Sequence, residues 1–332
     1  IKHSGTPVVR LAEVLRQREA VAGAAAAFAE LDAQQGAARF AQACGARLAE
    51  AGAPRTSDGP AASLRLIGAR HPLLDPRLGE ARQAALGDRG HQAEIVPLDL
   101  DLGSQGRVLL LTGPNAGGKT VALKTVGLLA LLHHHGLPVP CERGSRLPWI
   151  ESCVATVGDE QDLLADRSTF SGRLLRLREA WEAASPASLV LLDELGSGTD
   201  PDEGAALAIA LLEHLLRRGG FAVVTTHLTR LAAAALELPG AVCGAMEFSP
   251  ASGRPTFRLV LGPPGGSEAI ALARRLGLPA EWTERADALL GPEQRNLRRL
   301  LAEIESARDE LGLARERLDT ETSDLAKIRQ RL

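Results

Sequence analysis

The residue types best suited to chemistry in this chain lie in a glycine-rich segment, GPNAGGKT, at 113–120. The segment fits the pattern G-x-x-x-x-G-K-[ST] of a phosphate-binding loop (P-loop). It directly follows the apolar run VLLLT at 108–112 and opens a helical pattern, which is the context that this motif needs. Glycines let backbone N–H groups close around phosphates, and the helix amino terminus adds the positive end of its dipole. The segment therefore predicts a nucleotide site.

The residue types in this loop predict ATP and Mg²⁺ as cofactors. Lys119 is expected to reach the β- and γ-phosphates, and Thr120 is expected to ligate Mg²⁺. The residues expected to contact the nucleotide are Gly113, Pro114, Asn115, Ala116, Gly117, Gly118, Lys119, Thr120 and Val121.

An acidic segment further along the chain supplies the second half of such a site. The apolar run LVLLD at 189–193 predicts a buried strand ending at Asp193, whose carboxylate can hold Mg²⁺ through water. Glu194 follows directly and is the candidate general base that orients the attacking water. The alternative is that both are a solvated strand end. The glycine-rich LGSGTDP at 195–201 predicts a flexible loop at a subunit contact.

The position of His227 indicates a third catalytic residue beside Glu194 and Lys119. It follows the apolar run FAVVTT at 221–226, so it is expected at the carboxyl edge of a parallel sheet, where such sheets hold ligands. A histidine there can hydrogen-bond the γ-phosphate or the attacking water; the alternative is a structural histidine. The run of three histidines at 133–135 instead predicts a solvated helix end, because no acidic or cysteine residue lies in register to share a metal.

Composition sets the broad class of protein. With 332 residues, 45% of them hydrophobic, the chain can bury a sizeable core. Because it has neither a run of roughly eighteen apolar residues nor a signal peptide, we expect a cytoplasmic protein with no membrane partner. The net charge of -3 argues against a strongly basic nucleic-acid-binding surface. Four scattered cysteines predict reduced thiols rather than a zinc site or disulfides. The start at Ile1 and the helical carboxyl end predict a piece of a longer protein.

The elements that must position the candidate site alternate between strands and helices. Short apolar runs predict strands of a parallel sheet covered by helices on both faces; they lie at 64–68, 108–112, 189–193 and 221–226. Helical patterns lie at 119–135, 172–184, 202–218 and 266–277. This order predicts a doubly wound α/β fold. The stretch at 241–261 is expected to add an antiparallel hairpin at the sheet edge.

Helical segments flank this α/β region. Ala-rich residues 1–60 carry apolar positions at helical spacing, including Val21, Phe28 and Leu31. From Leu297 to the end, apolar or small residues recur in steps of three and four, which predicts the start of a coiled-coil stalk over 291–332. The alternative is one amphipathic helix packed back on the domain. The predicted domains are 1–60, 61–290 and 291–332.

Taken together, GPNAGGKT, DRSTF, LLDELGSGTDP and TTH resemble the MutS family of ATPases over roughly residues 62–290. The string ARHPLL at 69–74 is similar to that family's RHP element. Within the family, GGKTVALKTVG, GDEQD and EGAALAIALL favour the second bacterial branch, MutS-II, over the mismatch-recognising branch. The Pro-Gly-rich string GPPGGSEAIALARRLGLP also favours this branch, although its residues 265–267 depart slightly from the branch's usual PGRS-type string.

The resemblance implies a P-loop NTPase of the ABC/MutS type that hydrolyses ATP as a homodimer, with ATP between the subunits. Ser168 and Thr169 of one subunit would face the phosphates held by the other. The branch is associated with branched DNA in recombination control and with stalled, collided ribosomes, which makes nucleic acid, either branched DNA or ribosomal RNA, an expected partner. The family's nuclease activity is not assignable to residues present in this chain.

Two other functions fit parts of the same pattern. One is an SMC-like or ABC-like coiled-coil ATPase with a tethering role, although an LSGGQ-type string is absent and STF stands at 168–170. The other is a nucleotide-gated nucleic-acid-binding module in which hydrolysis only resets partner affinity. The sequence does not separate this last function from an ATPase that does work, since both need the same residues.

Overall fold

The structure, a computed structural model, describes most of the chain. It covers residues 18–52, 63–88, 90, 95–103, 106–113, 117–158, 169–248, 255–262 and 277–291, with isolated positions between 270 and 318. The α-helices in this part are α1 (Arg18–Cys44), α2 (Gly79–Leu86), α3 (Lys119–His134), α4 (Thr169–Ala183), α5 (Pro201–Arg218), α6 (Thr229–Glu237) and α7 (Ala280–Leu289). The strands are β1 (Glu50–Gly52), β2 (Leu64–Ala69), β3 (Leu98–Leu102), β4 (Val108–Thr112), β5 (Arg146–Pro148), β6 (Ser152–Thr156), β7 (Ser188–Leu192), β8 (Phe221–Thr225), β9 (Ala241–Phe248) and β10 (Pro255–Leu261).

A mostly parallel sheet of six strands forms the centre of the fold, in the order β10-β9-β4-β8-β7-β6. Strands β9, β4, β8, β7 and β6 run parallel to their neighbours, while β10 pairs antiparallel with β9. Every residue of β4, β7 and β8 is buried, as their continuous apolar sequences predict for strands covered on both faces. The predicted α/β sheet and its antiparallel edge hairpin are confirmed.

Helices pack on both faces of this sheet. Because successive side chains of a strand point to opposite faces, Leu109 and Leu111 of β4 join one hydrophobic core while Val108 and Leu110 join the other. Helix α3 packs on the first face through Leu123, Val126 and Leu129. Helices α5 and α6 contribute to the second core through Leu211, Leu212, Leu215, Leu231 and Ala235. The doubly wound arrangement therefore fixes α3, which carries Lys119 and Thr120, against the strands that hold the acidic residues.

The prediction that the run at 64–68 belongs to the parallel sheet is wrong. It forms β2 in a second sheet of order β1-β5-β2-β3, in which β2 pairs antiparallel with both β3 and β5. In β2, Leu64 and Leu66 are buried while Arg65 between them is exposed, an alternation typical of a sheet with one covered face. Strands β1, β3, β5 and β6 were not predicted from the sequence.

The predictions for the segments that flank the central sheet are confirmed only in part. Helix α1 confirms a helix within 1–60, but its apolar residues Val21, Phe28 and Leu31 are 61–73% exposed and so lie on the surface of the described part. Residues 50–52 form strand β1 rather than helix and pair with β5. Most of the predicted coiled coil over 291–332, and most of the helix predicted at 266–277, lies outside the described residues. Among the described helices, none combines the length and apolar character that a membrane span needs.

Candidate active site

The carboxyl ends of three neighbouring parallel strands meet at one edge of the central sheet. Gly113 follows β4, Asp193 and Glu194 follow β7, and Thr226 and His227 follow β8. Since β4 pairs with β8 and β8 with β7, these residues share the edge at which open α/β sheets bind ligands. The structure therefore brings together segments that are linked in the sequence only by their motifs.

The described part of the P-loop places a lysine inside the protein. Lys119 is 2% exposed, and its Nζ donates a hydrogen bond to the backbone oxygen of Gly113. Gly113 and Gly118 have φ of 109° and 94°, values in the left-handed region that favours glycine. Gly118 is the N-cap of α3 and supplies no side chain to cap it, and the positive end of the helix dipole at such an amino terminus favours anions.

The remaining P-loop residues divide into described and undescribed ones. Gly117 is buried, Thr120 is half-buried and Val121 is 41% exposed. The predicted contacts of Pro114, Asn115 and Ala116 lie outside the described residues.

Burial lowers the pKa of the Lys119 ammonium below its ordinary value, and the nearby carboxylates of Glu194 and Asp193 act in the opposite direction. Burial therefore has a larger effect on this pKa than the two carboxylates have. Additional negative charge, such as that of a phosphate chain, would favour the charged form of Lys119.

Two hydroxyl groups hold the carboxylate of Asp193. The Oγ1 atom of Thr120 donates to Oδ2 at 2.9 Å, and the Oγ1 atom of Thr225 donates to Oδ1 at 2.6 Å. One carboxylate beside one hydroxyl fits Mg²⁺, which usually takes one or two protein oxygens and completes its shell with water and phosphate. The described residues contain no cluster of three or more His, Cys, Asp or Glu side chains that could hold a metal without such a ligand.

Thr225 is a site residue that was not predicted from the sequence. It is fully buried in β8, and besides Asp193 it contacts Glu194, whose backbone N–H donates to the Thr225 Oγ1 atom at 2.8 Å. The signal in the sequence was a pair of threonines ending an otherwise apolar run, since buried hydroxyl groups need hydrogen-bond partners.

Glu194 has an unusual backbone conformation, with a φ of 50°. Positive φ is uncommon for a residue other than glycine and costs energy that the surroundings must offset. Besides the Thr225 contact on its N–H, its carbonyl oxygen accepts from the Ser197 N–H at 3.1 Å and from the Ser197 Oγ atom at 2.6 Å. Hydrogen bonds on both sides therefore fix the direction in which the half-buried Glu194 side chain leaves the strand.

The loop 195–201 follows with a defined path. The Leu195 N–H donates to the backbone carbonyl oxygen of Thr225 at 2.8 Å, and the Leu195 side chain is buried. The side chain of Asp200 caps α5 by accepting from two backbone N–H groups of its first turn. Gly196 and Gly204 lie so close that a Cβ atom on Gly204 would be 2.1 Å from the Gly196 oxygen. The predicted subunit contact of this loop stays a prediction.

The histidines singled out in the sequence differ in their exposure to solvent. His227 lies at the site edge and is exposed, and its catalytic role stays a prediction. The predicted solvated helix end at 133–135 is only partly so: His135 is exposed, but His134 is half-buried, with its ring centroid 4.5 Å from that of Trp149. His133 is also half-buried, and burial lowers its pKa.

Phe257 is a second residue near the site that was not predicted from the sequence. A register shift between Pro255 and Leu259 interrupts the edge hairpin, and Phe257 takes a φ of 60° there. Its ring lies against the P-loop, because a Cβ atom on Gly118 would be 3.2 Å from the Phe257 Cδ1 atom. Neither the bulge nor the positive φ of a phenylalanine has a signal in the sequence.

Only part of the segment Ser168–Thr169, which is predicted to face the phosphates held by a partner subunit, belongs to the described residues. Ser168 lies outside the described residues, and Thr169 is the first residue of α4. The contact of Ser168 and Thr169 with nucleotide therefore stays a prediction.

Comparison with known proteins places this site in a family. Residues 109–291 match the family model described as MutS domain V. The chain is 45% identical over 264 residues to the Endonuclease MutS2 of Thermomicrobium roseum, an alignment that covers 79% of this chain and 31% of the relative. It is 40% identical over 320 residues to that of Gemmatimonas aurantiaca, covering 96% of this chain and 36% of the relative.

A third relative gives the same result. The chain is 48% identical over 231 residues to the Endonuclease MutS2 of Thermus thermophilus, covering 70% of this chain and 31% of the relative. The chain thus spans about a third of the length of the curated relatives it matches. The match covers the strands and helices that carry the P-loop, Asp193 and Glu194. This chain belongs to the MutS family, in the branch of the MutS2 proteins.

Proposed function

We propose that this chain binds ATP with Mg²⁺ and hydrolyses ATP to ADP and phosphate. The observation that carries the proposal is the hydrogen-bonded array Thr120–Asp193–Thr225 beside the buried Lys119. It joins a cation, a carboxylate and a helix amino terminus at one sheet edge. This combination suits phosphoryl transfer, in which positioning and charge stabilisation supply most of the catalysis.

The phosphates of ATP would lie against the P-loop. Lys119 and the first-turn N–H groups of α3 would bind the β- and γ-phosphates, and Thr120 and Asp193 would hold Mg²⁺, which neutralises phosphate charge. The ring of Phe257 would contact the nucleotide beside Gly118, since aromatic faces stack on nucleobases. The negative charge of the phosphates would favour the charged form of Lys119 and so oppose the effect of burial on its pKa.

Glu194 would act as the general base that orients the attacking water. Its backbone is held at positive φ by Thr225 and Ser197, so the carboxylate would be positioned before the substrate arrives. His227, exposed at the same edge, would hydrogen-bond the γ-phosphate or the attacking water. Proton acceptance by a positioned carboxylate is a recognised part of such hydrolysis.

We further propose that the active unit is a homodimer with a composite site. The support is the MutS-like STF string at 168–170, which directly precedes and opens α4. Ser168 and Thr169 of the partner would complete the phosphate site. The loop 195–201 would lie at the same contact.

The role of the whole protein is a further proposal. The curated relatives carry the name Endonuclease MutS2. We infer that ATP binding and hydrolysis by this chain drive work on nucleic acid in the cytoplasm, on branched DNA in recombination control or on ribosomal RNA in collided ribosomes. In this proposal the helical part of residues 1–60 ends a lever, 61–290 form the ATPase domain and 291–332 begin a coiled-coil stalk.

The test is the rate of ATP hydrolysis as a function of protein concentration, for the 332-residue chain, Lys119→Ala, Ser168→Ala and an equimolar mixture of the two variants. We expect activity per chain to rise with concentration, to be lost in each variant and to return in part in the mixture. In the mixture, some dimers carry one site with both an intact P-loop and an intact Ser168.

Two results would contradict parts of the proposal. Hydrolysis that is independent of concentration and unaffected by Ser168→Ala would leave an ATPase without a composite site. Absence of hydrolysis by the unmodified chain, with ATP bound, would leave a nucleotide-gated binding module.

A further inference from the structure

Arg173 connects α4 to the loop that follows the two acidic residues. It is half-buried and lies about one turn after Thr169, the first residue of α4. Its Nη1 atom donates to the Oγ atom and to the backbone oxygen of Ser197. A guanidinium holding both oxygens of one loop residue fixes that residue more firmly than a single contact does.

Ser197 in turn holds the backbone of Glu194. Its Oγ atom donates to the backbone carbonyl oxygen of Glu194 at 2.6 Å, and its N–H donates to the same oxygen at 3.1 Å. Because the Oγ atom of Ser197 accepts from Arg173, its own proton is directed to Glu194. The chain of contacts therefore runs from α4 through Arg173 and Ser197 to the backbone of the predicted general base.

An apolar pocket lies beside Arg173, among α4, α5 and the end of β7. It has a volume of about 30 Å³ and is lined by Leu174, Leu177, Leu192 and Leu207 together with Arg173 and Ser197. The pocket is partly open to solvent, since Leu174 is 38% and Leu207 is 49% exposed. The hydrogen bonds from Arg173 to Ser197 therefore connect α4 to the loop beside this pocket.

We propose that Arg173 is a positioning residue that transmits the position of α4 to the carboxylate of Glu194. The inference deepens the proposed ATPase function and rests on it. When α4 is in place, Arg173 and Ser197 hold Glu194 at its positive φ and the base is aligned. When α4 is displaced, the Ser197 contact is released and Glu194 can leave this strained conformation.

This coupling predicts a loss of turnover without a loss of nucleotide affinity. The residues proposed to bind ATP and Mg²⁺ are Lys119, Thr120 and Asp193, and their hydrogen bonds described above are to Gly113, Thr225 and each other rather than to Arg173. A misplacement of the general base by about 1 Å is expected to lower kcat roughly 10- to 100-fold. The KM and the dissociation constant for ATP should stay within about twofold of the unmodified chain, since the phosphate contacts are retained.

The experiment compares Arg173→Ala, Ser197→Ala, the double variant and Arg173→Lys in the 332-residue chain. The matched control is Arg178→Ala, because Arg178 is on the same helix, is 66% exposed and pairs along the helix with Glu182. For each variant, kcat, KM, the dissociation constant of a fluorescent ATP analogue and the unfolding temperature are measured.

We expect both single alanine variants to lose kcat with ATP affinity unchanged, the double variant to lose no more than either one, and Arg173→Lys to recover part of the loss. Unchanged kcat in Arg173→Ala, or a parallel loss of kcat and ATP affinity, would overturn the coupling. If Arg173→Ala does not fold, Ser197→Ala decides: wild-type kcat there overturns the proposal. An unmodified chain that binds ATP but does not hydrolyse it would reject the ATPase function and this inference together.

Discussion

The Oγ1 hydroxyl of Thr120 donates a hydrogen bond of 2.9 Å to the Oδ2 atom of Asp193, although 73 residues separate them in the sequence. It joins the amino terminus of α3 to the carboxyl end of β7. Since Thr225 holds the other carboxylate oxygen at 2.6 Å, the orientation of Asp193 is fixed before any cation arrives. This relationship underlies the first prediction.

Asp193→Asn should raise the Mg²⁺ concentration needed for half-maximal ATP hydrolysis about 10- to 100-fold, because groups that hold a metal through water tune its affinity by such factors. The measurement is a Mg²⁺ titration of the hydrolysis rate at saturating ATP. Asp101→Asn is the control, since Asp101 is about half exposed in β3 and pairs with Arg65. An unchanged Mg²⁺ dependence in Asp193→Asn would remove this residue from the metal site.

Glu194→Gln keeps the size of the side chain but removes the base. We expect single-turnover hydrolysis to fall about 100- to 10,000-fold, the usual contribution of a positioned general base, with ATP binding retained. Quench-flow of radiolabelled ATP with a parallel binding titration measures both quantities. If Glu194→Gln still binds its nucleic-acid partner but fails to release it, hydrolysis resets the protein after binding. If the variant loses its work on the partner at once, hydrolysis drives that work. Wild-type turnover would exclude Glu194 as the base.

Lys119→Met should make the nucleotide-free chain more stable at neutral pH, by about 1 kcal/mol, because burial disfavours the Lys119 cation more than the nearby carboxylates favour it. The folded-state pKa of Lys119 lies below its ordinary value of 10.5. At pH values between the folded-state pKa and 10.5, Lys119 is protonated in the unfolded chain but not in the folded chain. The free energy of unfolding of the wild type therefore rises with pH in this range.

The stability difference between Lys119→Met and the wild type should therefore shrink as the pH rises towards 10.5. Urea unfolding at several pH values measures it. Lys124→Met, at an exposed position of the same helix, should change the unfolding energy by less than about 0.5 kcal/mol. A difference that grows with pH would contradict a lowered pKa for Lys119.

Gly204→Ala should destabilise the chain by about 2–3 kcal/mol, since overpacking of a close contact costs energies of this order. The added Cβ atom would lie 2.1 Å from the backbone oxygen of Gly196, and neither backbone can yield without moving the loop or α5. The matched control is Gly36→Ala in α1, where a Cβ atom meets nothing within 4 Å. That change should stabilise α1 by roughly 0.5–1 kcal/mol. Urea unfolding of both variants compares them, and equal effects would refute the contact argument.

Phe257→Ala should raise the dissociation constant for ATP about tenfold, because removing an aromatic platform from a base costs on the order of 1–3 kcal/mol. The kcat at saturating ATP should be retained, since the reacting groups lie elsewhere. Equilibrium titration with a fluorescent ATP analogue is the measurement, and Phe28→Ala, at a 73% exposed position of α1, is the control. Unchanged affinity in Phe257→Ala would remove the ring from the nucleotide site.

Much of this architecture could be predicted from local sequence. The P-loop glycines and Lys119, the acidic pair after an apolar run, and the buried strands β4, β7 and β8 are properties of short segments, so the residues themselves indicate them. The antiparallel edge hairpin was likewise predicted from one segment. By contrast, the run at 64–68 looks like a buried parallel strand, and only its pairing with β3 and β5 places it in the second sheet.

The sequence by itself determined which residues supply the predicted chemistry of this protein, because residue type and spacing encode the loop, the carboxylates and the helix start. Only the tertiary structure decided how they are held. Thr225 on Asp193, Phe257 against Gly118, the positive φ of Glu194 and the contact of Arg173 with Ser197 all depend on hydrogen bonds or packing between separate segments. Such contacts follow from the packing of whole elements, which no local pattern specifies.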